Sequence, residues 1–279
     1  MDIKTLQDIP PWEWPAEAAQ LLLEIVSDPG ADPADRLMAS ELAGDYTVLN
    51  DALAKALLQI VLDDKESLDL RSTAVISLGP ALEHADMMEF EDENDILITQ
   101  GMFTEIVEQL HQLYLRRDLP QELRRRVLEG AVRAPRTWHH EAVQSAYAQE
   151  DPDWRHTAVF CMGYVGGFDQ QIIKSLQSAD PLIHYHAVCA AGNWEIEEAW
   201  PHVAELVRSD ETEKELRIAA IGAAAAIRPE EASILLGDLI ESDDEDIAEA
   251  VLEALAMADG LEGFDLEDFG AFDDRDDTR

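Results

Sequence analysis

Apolar and polar positions recur along this chain in two alternating forms. The first is an amphipathic segment with apolar residues near i, i+3, i+4 and i+7, the spacing that places them on one face of a helix. It occurs at AEAAQLLLEIV (16–26), LAKALLQIVL (53–62), FTEIVEQLHQLYL (103–115), QQIIKSLQS (170–178), HVAELVRS (202–209) and EASILLGDLI (231–240). The second form is richer in small residues. Between the two stand Asp, Ser and Pro: Ser27-Asp28-Pro29-Gly30, Asp63-Asp64, Asp118, Asp151-Pro152, Asp180-Pro181, Ser209-Asp210 and Ser242-Asp243-Asp244. Asp and Ser cap helix starts, and Pro suits the first helical turn. No alternating stretch is long enough for a sheet. The pattern predicts an all-α fold of paired helices.

The second form is a repeat. DRLMASELAG (35–44), LRSTAVISLG (70–79), LRRRVLEGAV (123–132), WRHTAVFCMG (154–163), IHYHAVCAAG (183–192), LRIAAIGAAA (216–225) and IAEAVLEALA (247–256) align as seven copies. Three places after the Arg position every copy has a small or β-branched residue: Ala39, Ala74, Val127, Ala158, Ala187, Ala220 and Val251. Five places further stand Gly44, Gly79, Val132, Gly163, Gly192, Ala225 and Ala256. Small residues at both points allow close helix approach, so a fixed period of helix pairs predicts an α-solenoid of about seven stacked antiparallel pairs.

An apolar helix, an Asp-containing turn and then "(L/I)-R-x-x-A…(L/A)-G" resembles HEAT repeats, in particular the short kind of phycocyanobilin-lyase-like proteins. The resemblance covers about residues 15–258. It implies a hydrogen-bonded ladder tying the units together. Its members would be Arg36, Arg71, Arg124, Arg155 and Arg217, with Asp28, Asp63 or Asp64, Asp118, Asp151 and Asp210 as turn acids. His184 and Ala248 occupy the Arg position in the other two copies, which interrupts the ladder there.

Catalytic precedents on similar repeats find little in this sequence. Deoxyhypusine hydroxylase uses R-H-E starts whose His-Glu pairs hold two irons; here the matching stretches read Arg155-His156-Thr157 and His184-Tyr185-His186, and His140-Glu141 stands in another helix type. The carboxylates are missing, and no metal or other cofactor is expected. H-E-x-x-H, G-x-x-x-x-G-K and G-x-S-x-G are absent. Gly163 to Gly167 close a helix rather than open one, so they form no phosphate cradle. The run Glu89 to Asp95 lacks the glycine and ligand spacing of a calcium loop and reads as a solvated loop.

Charge then narrows the partners. With 20 Lys and Arg against 60 Asp and Glu, the formal net charge is -40. Such a field repels nucleic-acid backbone and anionic membranes. HEAT-like DNA glycosylases, which need a basic surface for the duplex, are excluded on this ground. Cys161 and Cys189, the only cysteines, sit in apolar runs and read as buried intracellular thiols. No secretory leader or 18-residue apolar run is visible, which gives a cytoplasmic expectation.

Stacking the copies predicts one site. The two positions after the Arg bring together Arg125, Arg126, His156, Tyr185 and His186 from three consecutive units, an Arg/His/aromatic patch suited to an acidic ligand. Arg133, Arg136, Tyr164 and Trp194 follow at the helix ends. Outside the ladder lie an N-terminal arm (1–14) whose Trp12 and Trp14 should cover the first unit, an acidic insertion loop (84–101), and an acidic-aromatic tail (260–279) able to contact the arginine region. The expected function is a non-enzymatic scaffold binding a protein partner on the concave face of the solenoid. The alternative is a lyase-like or chromophore-handling accessory acting on a partner protein.

Overall fold

The computed structural model describes residues 3–88, 90 and 96–258, and every regular element among them is a helix. The chain divides into two compact units, Met1–Val165 and Gly166–Arg279. The acidic tail (260–279), with its contact to the arginine region, lies outside the described residues. So does most of the run Glu89 to Asp95.

The first unit opens with α1 (Ile3–Gln7). Helix pairs follow: α2 (Ala18–Ser27) with α3 (Pro33–Leu42), and α4 (Asp51–Leu62) with α5 (Leu68–Ser77), which α6 (Gly79–Met88) prolongs. Then come α7 (Gln100–Leu115) with α8 (Gln121–Ala131), and α9 (Thr137–Tyr147) with α10 (Pro152–Met162). The second unit holds α11 (Asp169–Ser175) with α12 (Pro181–Asn193), α13 (Trp200–Arg208) with α14 (Lys214–Ile227), and α15 (Pro229–Leu236) with α16 (Glu245–Ala258). All seven sequence copies fall on the second helix of a pair, four in the first unit and three in the second. Helix α9, a first helix with little apolar periodicity, is an addition to the sequence reading.

Of the turn acids read from sequence, Asp151, Asp180 and Asp244 cap helix starts, while Asp64, Asp118 and Asp210 pair with arginines instead. Asp32 accepts from the backbone N–H of Ala34 at 2.9 Å, Asp151 from that of Asp153 at 2.9 Å, and Asp180 from that of Leu182 at 3.0 Å, each with Pro at the next position. Asn50 and Thr99 cap α4 and α7 in the same way. Asp51 further accepts from the N–H and hydroxyl of Thr99, at 2.7 and 2.8 Å, joining the starts of these two helices.

Second helices stack on second helices, in the order α3–α5–α8–α10 in the first unit and α12–α14–α16 in the second. The small column forms the seam: Ala39, Ala74, Val127, Ala158, Ala187, Ala220 and Val251 are all at 0% exposure. At three points only glycine fits; a Cβ on Gly130 would stand 2.6 Å from the Val75 carbonyl oxygen. A Cβ on Gly44 would stand 2.7 Å from the Ser77 carbonyl oxygen, and one on Gly192 2.8 Å from the Ala223 Cα. First helices fill the other side with large side chains such as Leu22, Leu53, Leu57, Ile106 and Leu110. Each contributes roughly 1.5–3 kcal/mol by leaving water.

The ends and the insertion differ from expectation. Ile3 and Leu6 cover the first pair, and Trp14 is pinned by its indole N–H to the carbonyls of Leu6 and Ile9, whereas Trp12 is 79% exposed. Residues 84–88, expected to be loop, are the last turns of α6, and Ile98 is buried. Residues 84–88 and Ile98 thus add to helix and core within the stretch expected to be an acidic insertion loop.

The ladder keeps the implied acids at Arg71 and Arg217 and has other partners elsewhere. Arg36 donates to the Val26 carbonyl at 3.2 Å and forks onto Glu66 at 2.8 and 3.0 Å, while Asp28 caps its own turn at Gly30. Arg71 donates to the Val61 carbonyl at 2.9 Å and pairs with Asp64, not Asp63, at 3.0 Å. Asp64 and Asp118 are both held by Arg116, which keeps both carboxyls below the usual carboxylate range through hydrogen bonds to its guanidinium. Arg124 donates to the Arg116 carbonyl and lies 6.0 Å over the Tyr114 ring, with no turn acid as ion-pair partner among the described residues. Arg217 repeats the Arg71 arrangement with Val207 at 3.0 Å and Asp210 at 3.2 Å. Arg155 is not a rung: its guanidinium lies 5.2 Å over the Tyr147 ring, and Asp151 caps α10 instead.

Candidate functional site

Three of the predicted patch residues belong to the first unit. Arg125 pairs with Asp153 at 3.1 Å, reaches the Thr157 hydroxyl at 3.4 Å, and its side chain is only 12% exposed. Arg126 pairs with Glu129 at 2.7 Å. Glu129 is itself buried and accepts from the Thr157 hydroxyl at 2.5 Å, so α8 and α10 share one chain of polar contacts. His156 is half-buried on α10. Tyr185 and His186 belong to the second unit, where their rings meet edge-on with centroids 5.4 Å apart. Tyr185 also contacts Cys189, and that thiol together with burial and Glu215 raises its phenol pKa. The guanidinium charge of Arg125 and Arg126 is therefore spent on Asp153 and Glu129.

Beside them, the second-helix face of the first unit carries an open groove of about 410 Å³. It is lined by Glu41 from α3, Asp69, Ser72, Thr73, Ile76 and Ser77 from α5, and Glu122 and Arg126 from α8. Glu41, Asp69 and Glu122 are exposed and form no ion pair among the described residues. Arg126 is tied to Glu129, so the groove presents carboxylate charge. Ser72 is buried on its wall with a hydroxyl that has no hydrogen-bond partner.

The sequence contains the signal for this groove, two places before the Arg position. That offset reads Ala34, Asp69, Glu122, Asp153, Leu182, Glu215 and Asp246, acidic in five of seven copies. First-turn acids are favoured by the helix dipole, and the same preference makes this row look like ordinary helix starts.

The helix ends gather a second cluster. Arg133 bonds Glu83 at 2.6 Å and lies over the rings of Phe160 and Tyr164 at 5.8 and 5.7 Å. Arg136 bonds Asp86 at 2.9 Å and covers the Phe103 ring at 5.3 Å. These contacts fasten α6 to the third and fourth pairs. Burial pushes the Cys161 thiol well above its ordinary range, so it has no thiolate to offer. Among the described residues no three His, Cys, Asp or Glu side chains converge as metal ligands, and no helix is long and apolar enough to cross a membrane.

Stacked pairs with a small-residue seam define an α-solenoid, and the family comparison agrees with that class over part of the chain. Residues 170–256 match the family model described as HEAT repeats. Among solved structures, YibA of E. coli is similar at 17% identity and a TM-score of 0.42, covering 88% of this chain and 83% of that one. Human deoxyhypusine hydroxylase in complex with glycerol is similar at 15% identity and 0.38, covering 88% and 96%. An engineered protein stands at 15% and 0.33, covering 87% and 96%. No curated protein matches the sequence.

Proposed function

We propose that this chain is a non-enzymatic scaffold that holds a protein partner through a Lys- or Arg-bearing segment laid along the second-helix face of its first unit. The observation that carries this reading is the groove in which Glu41, Asp69 and Glu122 face solvent without counter-charges while Arg126 is neutralised by Glu129. A volume of about 410 Å³ accommodates one or two long side chains rather than a whole helix. The -40 net charge steers a basic partner toward the chain from a distance. The chromophore-handling alternative rests on the sequence resemblance alone.

The test uses a fluorescent octalysine peptide titrated into the full chain at two salt concentrations. A chain this acidic binds any polycation, so the comparison is between two triple variants of equal charge. Glu41→Gln/Asp69→Asn/Glu122→Gln is expected to weaken binding by about tenfold or more and to flatten its salt dependence. Glu230→Gln/Glu231→Gln/Glu245→Gln, on α15 and α16 of the second unit, is expected to stay within about twofold. Equal losses in both variants would reduce the groove to general surface charge and reject the reading.

A further inference from the structure

In the second unit, the ladder position of α12 is filled by His184 instead of Arg. Its ring does not turn back to its own pair as the arginines do. It crosses to α13, the first helix of the next pair, where its Nε2 stands 2.7 Å from the Nε2 of His202. The two rings lie 5.0 Å apart at 48°, close to the nitrogen contact plus the two ring radii, so the nitrogens face each other head-on from two different helices. Both side chains are half-buried and open to solvent on one side. Gln177, from the turn before α12, places its side-chain amide 3.5 Å from the Nδ1 of His202.

We propose that His184 and His202 form a two-imidazole site for a borderline divalent transition ion, of the class Cu2+, Ni2+ or Zn2+, with water filling the other positions. Imidazole nitrogen is a preferred donor for these ions, and affinity within the class peaks at Cu2+. A tetrahedral ion with metal–nitrogen bonds near 2.0–2.1 Å needs its two nitrogens about 3.3 Å apart. The observed pair needs to open by about half an ångström and each ring to turn by roughly 35° off the line between the nitrogens, a side-chain rotation open to rings borne on separate helices.

Two further observations favour this site. Metal binding requires neutral rings, and burial holds both histidines below their ordinary pKa, the neighbouring ring adding to the effect at His184 while Glu205 partly opposes it at His202. It also requires each ligating ring to carry its proton on the far nitrogen, fixed by an acceptor. As placed, the Gln177 amide nitrogen faces the Nδ1 of His202 at 3.5 Å; a half-turn of that amide would present its oxygen as the acceptor the ligating tautomer needs. No third side-chain ligand converges among the described residues. The coordination positions left to water are what would let a bound ion exchange or take up a further ligand.

The experiment titrates Cu2+ into the full chain at pH 7.5 and reads pulsed and continuous-wave electron paramagnetic resonance. One equivalent is expected to show the coupling pattern of two imidazoles, displaceable by excess Zn2+. His184→Gln and His202→Gln should each reduce the pattern to a single imidazole and weaken binding by about tenfold or more. His186→Gln, two residues along the same helix, should leave both unchanged. A wild-type spectrum showing only oxygen ligands would overturn the site directly, whatever the folding of the variants. Survival of the two-imidazole pattern in both single variants would overturn it too, because other histidines would then be responsible.

Discussion

Arg71 donates its Nε–H to the carbonyl of Val61, ten residues earlier, at 2.9 Å, and the same link joins Arg36 to Val26 and Arg217 to Val207. In each case the second helix of a pair caps the end of the first. The carbonyls of a helix's last turn have no partner within it, and a buried one costs free energy unless a donor arrives. A cation there also complements the negative end of the helix dipole. The repeating arginine is a C-terminal cap first and an ion-pair partner second.

This ranking predicts unequal effects along the ladder. Arg71→Ala strands a buried carbonyl and should cost about 2–3 kcal/mol; exposed Asp64 adds little to that. Arg155→Ala loses only the stacking over Tyr147 and should cost about 0.5–1 kcal/mol. Urea unfolding midpoints of the two variants check the order. Equal losses would mean that Arg155 is a rung after all.

How much of this was legible in sequence depends on the distance over which each feature is set. The small column and the turn acids repeat within one pair, so the helices, their order and the seam at Ala39 through Val251 could be read directly. Partner choice is set between pairs. Nothing in the period distinguishes Asp28 from Glu66 as the acid for Arg36, because both sit beside a turn, and only packing brings Glu66 within 2.8 Å. Helix α9 was hidden because its start, Thr137-Trp138-His139-His140, carries rings and polar atoms in place of aliphatic spacing. The pairing of Arg125 and Arg126 was hidden for a related reason: Asp153 lies 28 residues on from Arg125, and Glu129 stands one turn further along the same helix face as Arg126. Repeats display what is common to the units, and the site is built from what differs.

The seam itself can be tested by filling it. Ala158→Leu and Ala187→Leu each add a branched side chain where exposure is 0%, and should cost about 1–3 kcal/mol through overpacking. Ser72→Ala should be neutral or slightly stabilising, because it removes a buried hydroxyl that has no partner. Thermal melts compare the three. A Leu variant as stable as wild type would contradict the register of the seam.

His139 makes stability depend on pH. It is 1% exposed, its Nδ1 accepts the backbone N–H of Arg136 at 2.8 Å at the start of α9, and burial, reinforced by Arg136 and His111, lowers its pKa to about 4. The folded state holds this ring neutral while the unfolded chain protonates it near pH 6.5, so the unfolded state binds more protons below that value. The stabilisation is complete above about pH 6.5, declines as pH falls, and is gone below about pH 4, a loss of up to about 3 kcal/mol. His139→Asn can accept the same N–H without titrating. Urea midpoints between pH 7.5 and 4.5 should fall less steeply in that variant than in wild type, and parallel slopes would assign the decline to the carboxylates.

The last test separates the structural use of Arg126 from a binding use. Its partner Glu129 is 5% exposed and also takes the Thr157 hydroxyl, whereas the Arg126 side chain is 40% exposed. Arg126→Met therefore leaves a buried carboxylate with a hydroxyl donor but no counter-charge. A cost of about 1–3 kcal/mol is expected, below that of a fully buried pair because water reaches the guanidinium side. Glu129→Gln added to that variant replaces the stranded charge by a neutral amide whose oxygen still accepts from Thr157. Most of the lost stability should return, to within about 1 kcal/mol of wild type. A double-mutant cycle on urea midpoints reads the coupling. An Arg126→Met variant as stable as wild type, with no gain from the second change, would free Arg126 from its internal role and restore it as a candidate contact for an acidic ligand.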